Sequence, residues 1–239
     1  MPPLRYALLV TTRLPRLLDA LEAEAGPAPP PPTADPFALV LLENVVYLAS
    51  DEKRLAAFRA LKKQVGLKPT DVLEASPKTL LAIARSGGIV PENQVGKLVR
   101  SAEIALSEFG GSLREASRKA LPAARKAIAR FPSIGAPGAE RILLLSGAHA
   151  ILGLESNALR VLVRLGYGVE RKSFGQTYKE AQTLAQKELP LEVGPLTRAF
   201  LLLKRHGQTL CRRSMPRCPQ CVLRAECPSA SAFARKARG

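Results

Sequence analysis

Four cysteines lie close together near the end of the 239-residue chain, and their spacing constrains the fold of that region most strongly. They follow the pattern C-x6-C-x2-C-x5-C and are Cys211, Cys218, Cys221 and Cys227. Short loops between thiolates can wrap one metal ion or one cluster. Zinc is the first alternative, although structural zinc sites usually pair two short knuckles and only Cys218 and Cys221 have that form. Two disulfides or a chance cluster are further alternatives, but Pro216 and Pro219 give the loop a defined shape and favour a metal centre.

The charge of the chain favours a polyanionic partner. Lysine and arginine number 36 against 20 acidic residues, which gives a net charge of +16. Such a surplus attracts DNA, RNA or an anionic membrane surface. No stretch is long and apolar enough to span a bilayer, and the run from Ala7 to Val10 is too short for a signal-peptide core. We therefore expect a cytoplasmic protein, nucleoid-associated if bacterial, and a reducing cytoplasm disfavours disulfides.

The composition favours helices. Tryptophan is absent and aromatic residues make up 5% of the chain, so leucine and alanine must fill much of the core. Apolar spacing predicts a first helix from Arg5 to Glu24, and the proline-rich stretch from Pro27 to Pro32 predicts an extended linker. Asp35 and Pro36 predict the N-cap and first turn of a second helix. Short helices are expected from there to about Leu203, because no alternation of period two indicates a sheet.

The segment H-G-Q-T-L-C at 206–211, followed by P-R-C-P-Q-C at 216–221, resembles the cluster loop of endonuclease III and the adenine glycosylases. The resemblance implies that Cys211, Cys218, Cys221 and Cys227 hold a [4Fe–4S] cluster. In that family the cluster is structural or transfers electrons, and it does not perform the glycosylase chemistry. The resemblance also implies that the loop presents Arg212, Arg213 and Arg217 to DNA phosphates, whereas the alternative is a generic basic loop.

Two further segments resemble the same family. F-P-S-I-G-A-P-G-A at 131–139 is similar to the family hairpin L-P-G-V-G-x-K-T-A. L-E-S-N-A-L-R-V at 154–161, followed by R-L-G at 164–166, is similar to V-D-T-H-V-x-R-V-x-x-R-L-G. The distance between these two motifs matches the family without gaps. A tight turn between helices exposes N–H groups that can hold a phosphate without reading sequence. We therefore expect DNA contacts at Ile134, Gly135 and Gly138.

Three positions depart from the family pattern. Pro137 stands where bifunctional members have the lysine that forms a Schiff base, so the family lyase reaction is expected to be absent. Ser133 replaces the first glycine of the hairpin, so that turn is expected to be tighter or reshaped. Leu48 falls where the family has a glutamine that fills the space of a flipped base, so an apolar side chain would fill it here.

Two glutamates are the candidate catalytic residues. Glu155 stands where the family has its catalytic aspartate, and the extra methylene displaces the carboxylate by about 1 Å, enough to cost roughly a hundredfold in rate. The alternative for Glu155 is a helix-start acid that interacts with the macrodipole. Glu43 stands where the adenine glycosylases have a glutamate that protonates the base. Burial among apolar neighbours would suit it for that role, and the alternative is a salt-bridged or solvent-facing side chain.

Together these patterns predict an all-α, two-lobed helix-hairpin-helix DNA glycosylase fold. One lobe is a helical barrel over 35–148 that contains the hairpin. The other combines 1–26 with 149–229 and carries the iron–sulfur cluster. Residues 27–34 are a linker and 230–239 a basic tail, which is expected to be frayed over 234–239. The expected partner is damaged or mispaired double-stranded DNA. The protein is expected to bind it as a monomer and not to associate with a membrane. The expected function is a monofunctional base-excision glycosylase, and the alternative is a catalytically inactive protein that binds distorted DNA.

Overall fold

The computed structural model describes residues 13–236, with side chains up to residue 233, and this part of the chain contains helices and no strand. The all-α prediction is therefore confirmed. The α-helices are α1 Arg13–Ala25, α2 Pro36–Asn44, α3 Asp51–Gln64, α4 Pro69–Glu74, α5 Pro77–Arg85, α6 Pro91–Phe109, α7 Arg114–Arg118, α8 Leu121–Ile128, α9 Ala136–Leu145, α10 Ser156–Arg164, α11 Phe174–Gln186, α12 Val193–Thr209 and α13 Ala230–Lys236. Two 3-10 turns, Cys218–Gln220 and Arg224–Glu226, lie between the cysteines.

Helix α2 begins where the sequence predicts. The carboxylate of Asp35 accepts hydrogen bonds of 3.0 Å from the backbone N–H groups of Phe37 and Ala38, and Pro36 occupies the first turn. Every residue of α2 is buried except Glu43. A helix that is apolar on all sides lies inside a core. Glu43 is therefore the one side chain that this central helix presents at the edge of the core.

The chain divides into two compact units. The hairpin unit comprises residues 30–155 and 192–197, and it contains helices α2 to α9. Its core includes α2 and the helices that flank the predicted hairpin. Large apolar side chains of that core include Phe37, Leu39, Leu41, Phe58, Leu61, Leu80, Leu98, Leu113, Ile128, Phe131 and Leu143. The rings of Phe131 and Phe109 stack at a centroid distance of 5.9 Å, which packs the start of the hairpin turn against the end of α6.

Within the described residues, the cysteine unit comprises 13–29, Ser156–Leu191 and 198–236. Its first helix, α1, is held by buried leucines and by ion pairs that reach far along the sequence. Arg198 contacts Asp19 at 2.8 Å and Glu22 at 2.5 Å. Arg13 donates to the main-chain oxygens of Leu165 and Glu226, both at 2.7 Å. These contacts fix α1 to the segments around the cysteines.

Some predicted boundaries differ from the structure. The predicted first helix, Arg5 to Glu24, is present from Arg13 to Ala25, and its earlier part lies outside the described residues. The proline-rich linker contains no helix. The predicted frayed tail instead forms α13 as far as Lys236, which follows directly from the last cysteine turn. Within residues 13–236, no helix is both long and apolar enough to cross a membrane.

Asn44 joins α2 to the hairpin turn, and its replacement tests that connection. Its side chain is 1% exposed, and Nδ2 donates to the oxygens of Val40 at 3.2 Å and Pro132 at 3.1 Å. We expect Asn44→Ala to lower the free energy of unfolding by about 1–3 kcal/mol, because the half-buried Pro132 oxygen loses its partner. Asn93→Ala, at an exposed position of α6, is the matched control and should change stability little. Equal losses in the two variants, measured by urea unfolding, would contradict this role.

Candidate nucleic-acid interface and cysteine site

The segment between α8 and α9 forms the predicted hairpin. Helix α9 begins at Gly135, whose backbone is extended, and Pro137 occupies its first turn. Ser133, which replaces the family glycine, has a φ of +60°. This is the left-handed conformation that glycine adopts most readily, so the serine retains the glycine-like backbone. The hairpin turn, residues 129–135, is therefore strained at Ser133.

Backbone N–H groups at the start of α9 are open to a ligand. Among the described residues, no hydrogen-bond acceptor contacts the N–H of Gly135, Ala136 or Gly138. Pro137 lies between them and has no N–H. Ile134, by contrast, is buried, and its N–H donates to Phe131 at 3.2 Å. Gly135 and Gly138, which the sequence predicts to contact DNA, therefore have N–H groups available to a phosphate, and so does Ala136. Ile134 does not, and its side chain packs against Gly138.

Arg141 of α9 connects the two candidate carboxylates. Its Nε and Nη2 donate to the two carboxylate oxygens of Glu43 at 3.2 and 2.7 Å. Its Nη1 donates to the main-chain oxygen of Leu154 at 3.4 Å, one residue before Glu155. The side chain of Arg141 is 13% exposed and that of Glu43 is 30% exposed. The salt-bridged alternative for Glu43 is thus the one present, and a bidentate guanidinium favours the ionised carboxylate over the proton donor predicted from the sequence.

Gly153 allows the segment before Glu155 to lie directly on α9. A Cβ at this position would be 2.3 Å from Cα and 2.4 Å from N of Arg141, so no other residue fits. This close approach brings the Leu154 oxygen within reach of the Arg141 side chain. Glu155 itself is half-buried and immediately precedes α10. The sequence predicts both carboxylates, and the structure brings the Glu43 side chain and the main chain beside Glu155 to one guanidinium.

Two loops of the hairpin unit expose large apolar side chains. Tyr47 and Leu48 follow α2 and are 48% and 71% exposed, while Ile89 and Val90 precede α6 and are 51% and 45% exposed. The loops are joined by a hydrogen bond from the Ile89 N–H to the Tyr47 oxygen at 3.2 Å. Leu48 and Val90 both have φ near +50°, which is rare for bulky side chains. Strain of this kind is found at functional sites, and the pair extends the single residue Leu48 predicted from the sequence.

All four cysteines are free thiols and line one cavity of the cysteine unit. The cavity has about 420 Å³ of empty space, part of it open to solvent. Within the described residues, no three His, Cys, Asp or Glu side chains are arranged to hold a single metal ion. Burial, and then the charge of neighbouring cysteines, raises the pKa of Cys221 and of Cys227. Thiolates gathered here therefore require a positively charged group among them.

Arg164, at the end of α10, organises the loop between Cys211 and Cys218. Its Nη1 lies 3.4 Å from Sγ of Cys211 and donates to the main-chain oxygen of Arg212 at 2.7 Å, while Nη2 donates to the oxygen of Arg213 at 3.2 Å. Its guanidinium lies 4.5 Å from the ring centroid of Phe233 in α13. Arg164 thereby fixes the main chain of the basic loop and leaves the side chains of Arg212 and Arg213 exposed.

Helices α10 and α12 meet beside the first cysteine. Arg160 donates to the oxygens of Cys211 at 3.0 Å and Gly207 at 2.7 Å, and also to Asn157 at 2.7 Å. His206 is buried, and its Nε2 lies 3.6 Å from Sγ of Cys221. Burial lowers the pKa of His206 to about 4, so its imidazole is neutral at physiological pH. The histidine packs against the cysteine site and adds no positive charge to it.

Sequence reasoning missed Arg141 and Arg164. Both arginines contact partners that are far away in the sequence. Arg141 is 98 residues from Glu43, and Arg164 is 47 residues from Cys211. Arg164 falls inside the second family-like segment, so the motif could have marked it. No comparable sequence signal marks Arg141, because its role depends on the packing of α2 against α9.

No protein-family profile and no curated protein matches this sequence. Solved structures do match it. A trapped endonuclease III–DNA covalent intermediate, in its estranged-adenine complex, has a TM-score of 0.74 at 17% identity and covers 95% of this chain and 100% of its own. A thermostable thymine-DNA glycosylase has a TM-score of 0.73 at 17% identity, with 92% and 95% covered. The 3-methyladenine DNA glycosylase of H. pylori, bound to 1,N6-ethenoadenine, has a TM-score of 0.59 at 17% identity, with 81% and 93% covered.

These similarities concern the fold. The chain has the all-α helix-hairpin-helix fold of endonuclease III and the thymine-DNA glycosylase, and the resemblance predicted from the sequence is confirmed at that level. The two endonuclease III neighbours, one of them a non-covalent complex with a TM-score of 0.72, are DNA-bound.

Gly207 tests the packing beside the first cysteine. A Cβ at Gly207 would lie 2.7 Å from the main-chain oxygen of Asn157. We expect Gly207→Ala to destabilise the protein by about 1–3 kcal/mol, because main chain must move to admit the methyl group. In Gly96→Ala, the control within α6, the methyl group meets nothing within 4 Å and should stabilise by about 0.5–1 kcal/mol. Changes of the same sign in thermal unfolding would show that Gly207 does not fit against Asn157 as described.

Proposed function

We propose that this chain is a DNA-repair glycosylase that removes a base without a covalent enzyme intermediate. The observation that carries the proposal is the bonding of Arg141, which holds the carboxylate of Glu43 and the main chain beside Glu155 together on the second hairpin helix. Two carboxylates next to a phosphate-binding turn form the chemical equipment for cleavage of a glycosidic bond. The fold shared with DNA glycosylases supports the same conclusion.

DNA would be held chiefly through its phosphates. The free N–H groups of Gly135, Ala136 and Gly138 lie at the positive end of the α9 dipole and suit one phosphate. Arg212, Arg213 and Arg217 are exposed in the basic loop and suit further phosphates. The net charge of +16 adds a general attraction to DNA. Binding of this kind does not depend on base sequence, so recognition must come from distortion of the duplex.

The exposed apolar loops would supply that recognition. Leu48 and Ile89 project from joined loops, and a leucine-sized side chain can enter a base stack and fill the space that an extruded base leaves. Unstacking is easiest at a damaged or mispaired base. We therefore assign the damage search to this pair of loops and propose a monomer acting on double-stranded DNA in the cytoplasm.

The chemistry assigned to Glu155 is electrostatic. As the C1′–N bond breaks, positive charge develops on the sugar, and an ionised carboxylate nearby stabilises it. Water then adds at C1′ and transfers its proton to the same carboxylate. Pro137 offers no amine at the hairpin, so the sugar forms no Schiff base there and the strand stays intact. Glu43 remains a candidate for base contact in its ionised form.

An iron–sulfur cluster accounts for the four cysteines better than a single zinc ion. Structural zinc sites usually pair two short knuckles, and only Cys218 and Cys221 have that spacing. All four cysteines line one cavity, and a [4Fe–4S] cube is bound by four thiolates. The residues that would hold it are Cys211, Cys218, Cys221 and Cys227. Its contribution would be structural, because it fixes the loop that carries Arg212 and Arg213.

Metal analysis tests the cluster. We expect protein purified without oxygen to contain about four irons and to absorb near 400 nm. Because Arg164 contacts a thiol and the loop main chain, Arg164→Gln should lose that absorbance in air about 10-fold faster. Arg171→Gln breaks an exposed ion pair with Glu180 in the same unit and should not change the rate. Zinc in place of iron, or no bound metal, would remove the cluster from this account.

A second candidate is a protein that binds damaged DNA without cleaving it. The specific observation in its favour is that Arg141 occupies both oxygens of Glu43, while Pro137 replaces the family nucleophile. If the chain is a glycosylase, Glu155 must support base removal without help from Glu43. A binding protein needs only the hairpin, the basic loop and the exposed apolar loops.

A panel of duplexes that contain alkylated, deaminated, oxidised and mispaired bases separates the two candidates. For the glycosylase we expect at least one lesion to become an abasic site, visible as a strand break only after alkali, with no borohydride-trapped complex. Glu155→Gln should lower that rate by about 10²–10³-fold while DNA affinity holds or rises, because a negative charge leaves the site. Tight binding to damaged duplexes with no base released from any of them would favour the binding protein instead.

A further inference from the structure

We propose that the lesions cleaved here are cationic purines, such as N-alkylated bases that carry a positive charge before they leave. The inference rests on the proposed glycosylase function and concerns its substrate class. It follows from the ion pair between Arg141 and Glu43, which determines what help a departing base can receive.

A neutral base leaves with an extra electron pair and needs a proton or another stabilising donor. A general acid supplies that help and contributes about 10²–10⁴-fold in rate. Glu43 cannot serve readily, because both of its oxygens accept N–H bonds from Arg141 at 3.2 and 2.7 Å. The two histidines of the chain are engaged elsewhere, His149 with Ser117 at 2.9 Å and His206 beside Cys221. Glu43, His149 and His206 are therefore each engaged with another group in the described structure, and none of them is placed as a ready proton donor for a departing base.

Stabilisation of an anionic leaving group is also disfavoured. Arg141 is the cation that pairs with Glu43, and each of its three side-chain nitrogens already donates a hydrogen bond, two to Glu43 and one to Leu154. Moving the guanidinium to a departing base would leave Glu43 without these bonds at a largely buried position. Separating a partly buried ion pair costs free energy, so Arg141 is not expected to leave Glu43 in order to stabilise a departing base.

A cationic purine needs neither form of help. When its C1′–N9 bond breaks, the electron pair moves into the ring, cancels the positive charge and lets the base leave neutral. Water adds to C1′, and its proton passes to Glu155 and then to solvent. The site thus supplies the electrostatic stabilisation that this one substrate class requires.

The test compares three duplexes that differ only in one base: 7-methylguanine, hypoxanthine or uracil. We expect wild-type protein to release 7-methylguanine at least about 100-fold faster than hypoxanthine, the difference that a missing general acid makes. Its rate should stay level from about pH 6 to about pH 8, because no protonated group takes part. Faster release of hypoxanthine or uracil than of 7-methylguanine would overturn this inference and leave the glycosylase function standing. Release of none of the three, or of any base on the wider panel, would overturn both.

The variant Arg141→Gln tests whether the Arg141–Glu43 ion pair causes the preference for 7-methylguanine. Without the Arg141 ion pair, Glu43 can hold a proton, so the ratio of hypoxanthine release to 7-methylguanine release should rise about 10-fold and should fall as pH rises. Arg100→Gln breaks an exposed pair with Glu103 on α6 and is the matched control, with the ratio of the two rates unchanged. Circular dichroism verifies that the Arg141 variant is folded. A folded variant with the wild-type preference would show that the ion pair does not determine the substrate.

Discussion

One guanidinium joins two distant parts of the hairpin unit. Arg141 uses its three nitrogens on two partners that are far apart in sequence, Glu43 from the buried helix α2 and Leu154 from the chain that precedes Glu155. Because it is 13% exposed, these hydrogen bonds form where water competes weakly and geometry is enforced by packing. Gly153 is required for this arrangement, since a side chain there would push the segment away from α9. The charge state of Glu43 and the location of Glu155 therefore share one cause.

The surfaces proposed for DNA depend on main chain rather than on side-chain chemistry. In the hairpin turn, Ser133 takes a backbone conformation that suits glycine, and at the start of α9 three N–H groups have no acceptor among the described residues. In the apolar loops, Leu48 and Val90 take the same unfavourable conformation and stay exposed. A folded chain keeps strain and open donors where binding can relieve them. In the cysteine unit, Arg164 likewise orders the main chain of the loop and leaves its basic side chains available.

Local features of the fold could be predicted from the sequence, and distant pairings could not. Asp35 and Pro36 predict the start of α2 because a cap needs only neighbouring residues. The exposed apolar position at Leu48 and the hairpin around Gly135 follow from short motifs that resemble a known family. The state of Glu43 was beyond such reasoning, since its apolar neighbours in sequence indicated burial while its actual partner is 98 residues away. For the same reason α13 was predicted as a tail, because the contact of Phe233 with Arg164 has no local signature.

The central claim is that Arg141 keeps Glu43 paired while Glu155 performs the chemistry. A crystal structure of Glu155→Gln bound to a duplex with one 7-methylguanine would test it most directly. The account predicts one DNA phosphate at the N–H groups of Gly135 and Gly138, an extruded purine beside residue 155, and the Arg141–Glu43 pair intact. A structure in which Glu43 has left Arg141 to contact the base, or in which the duplex lies away from the hairpin, would contradict it.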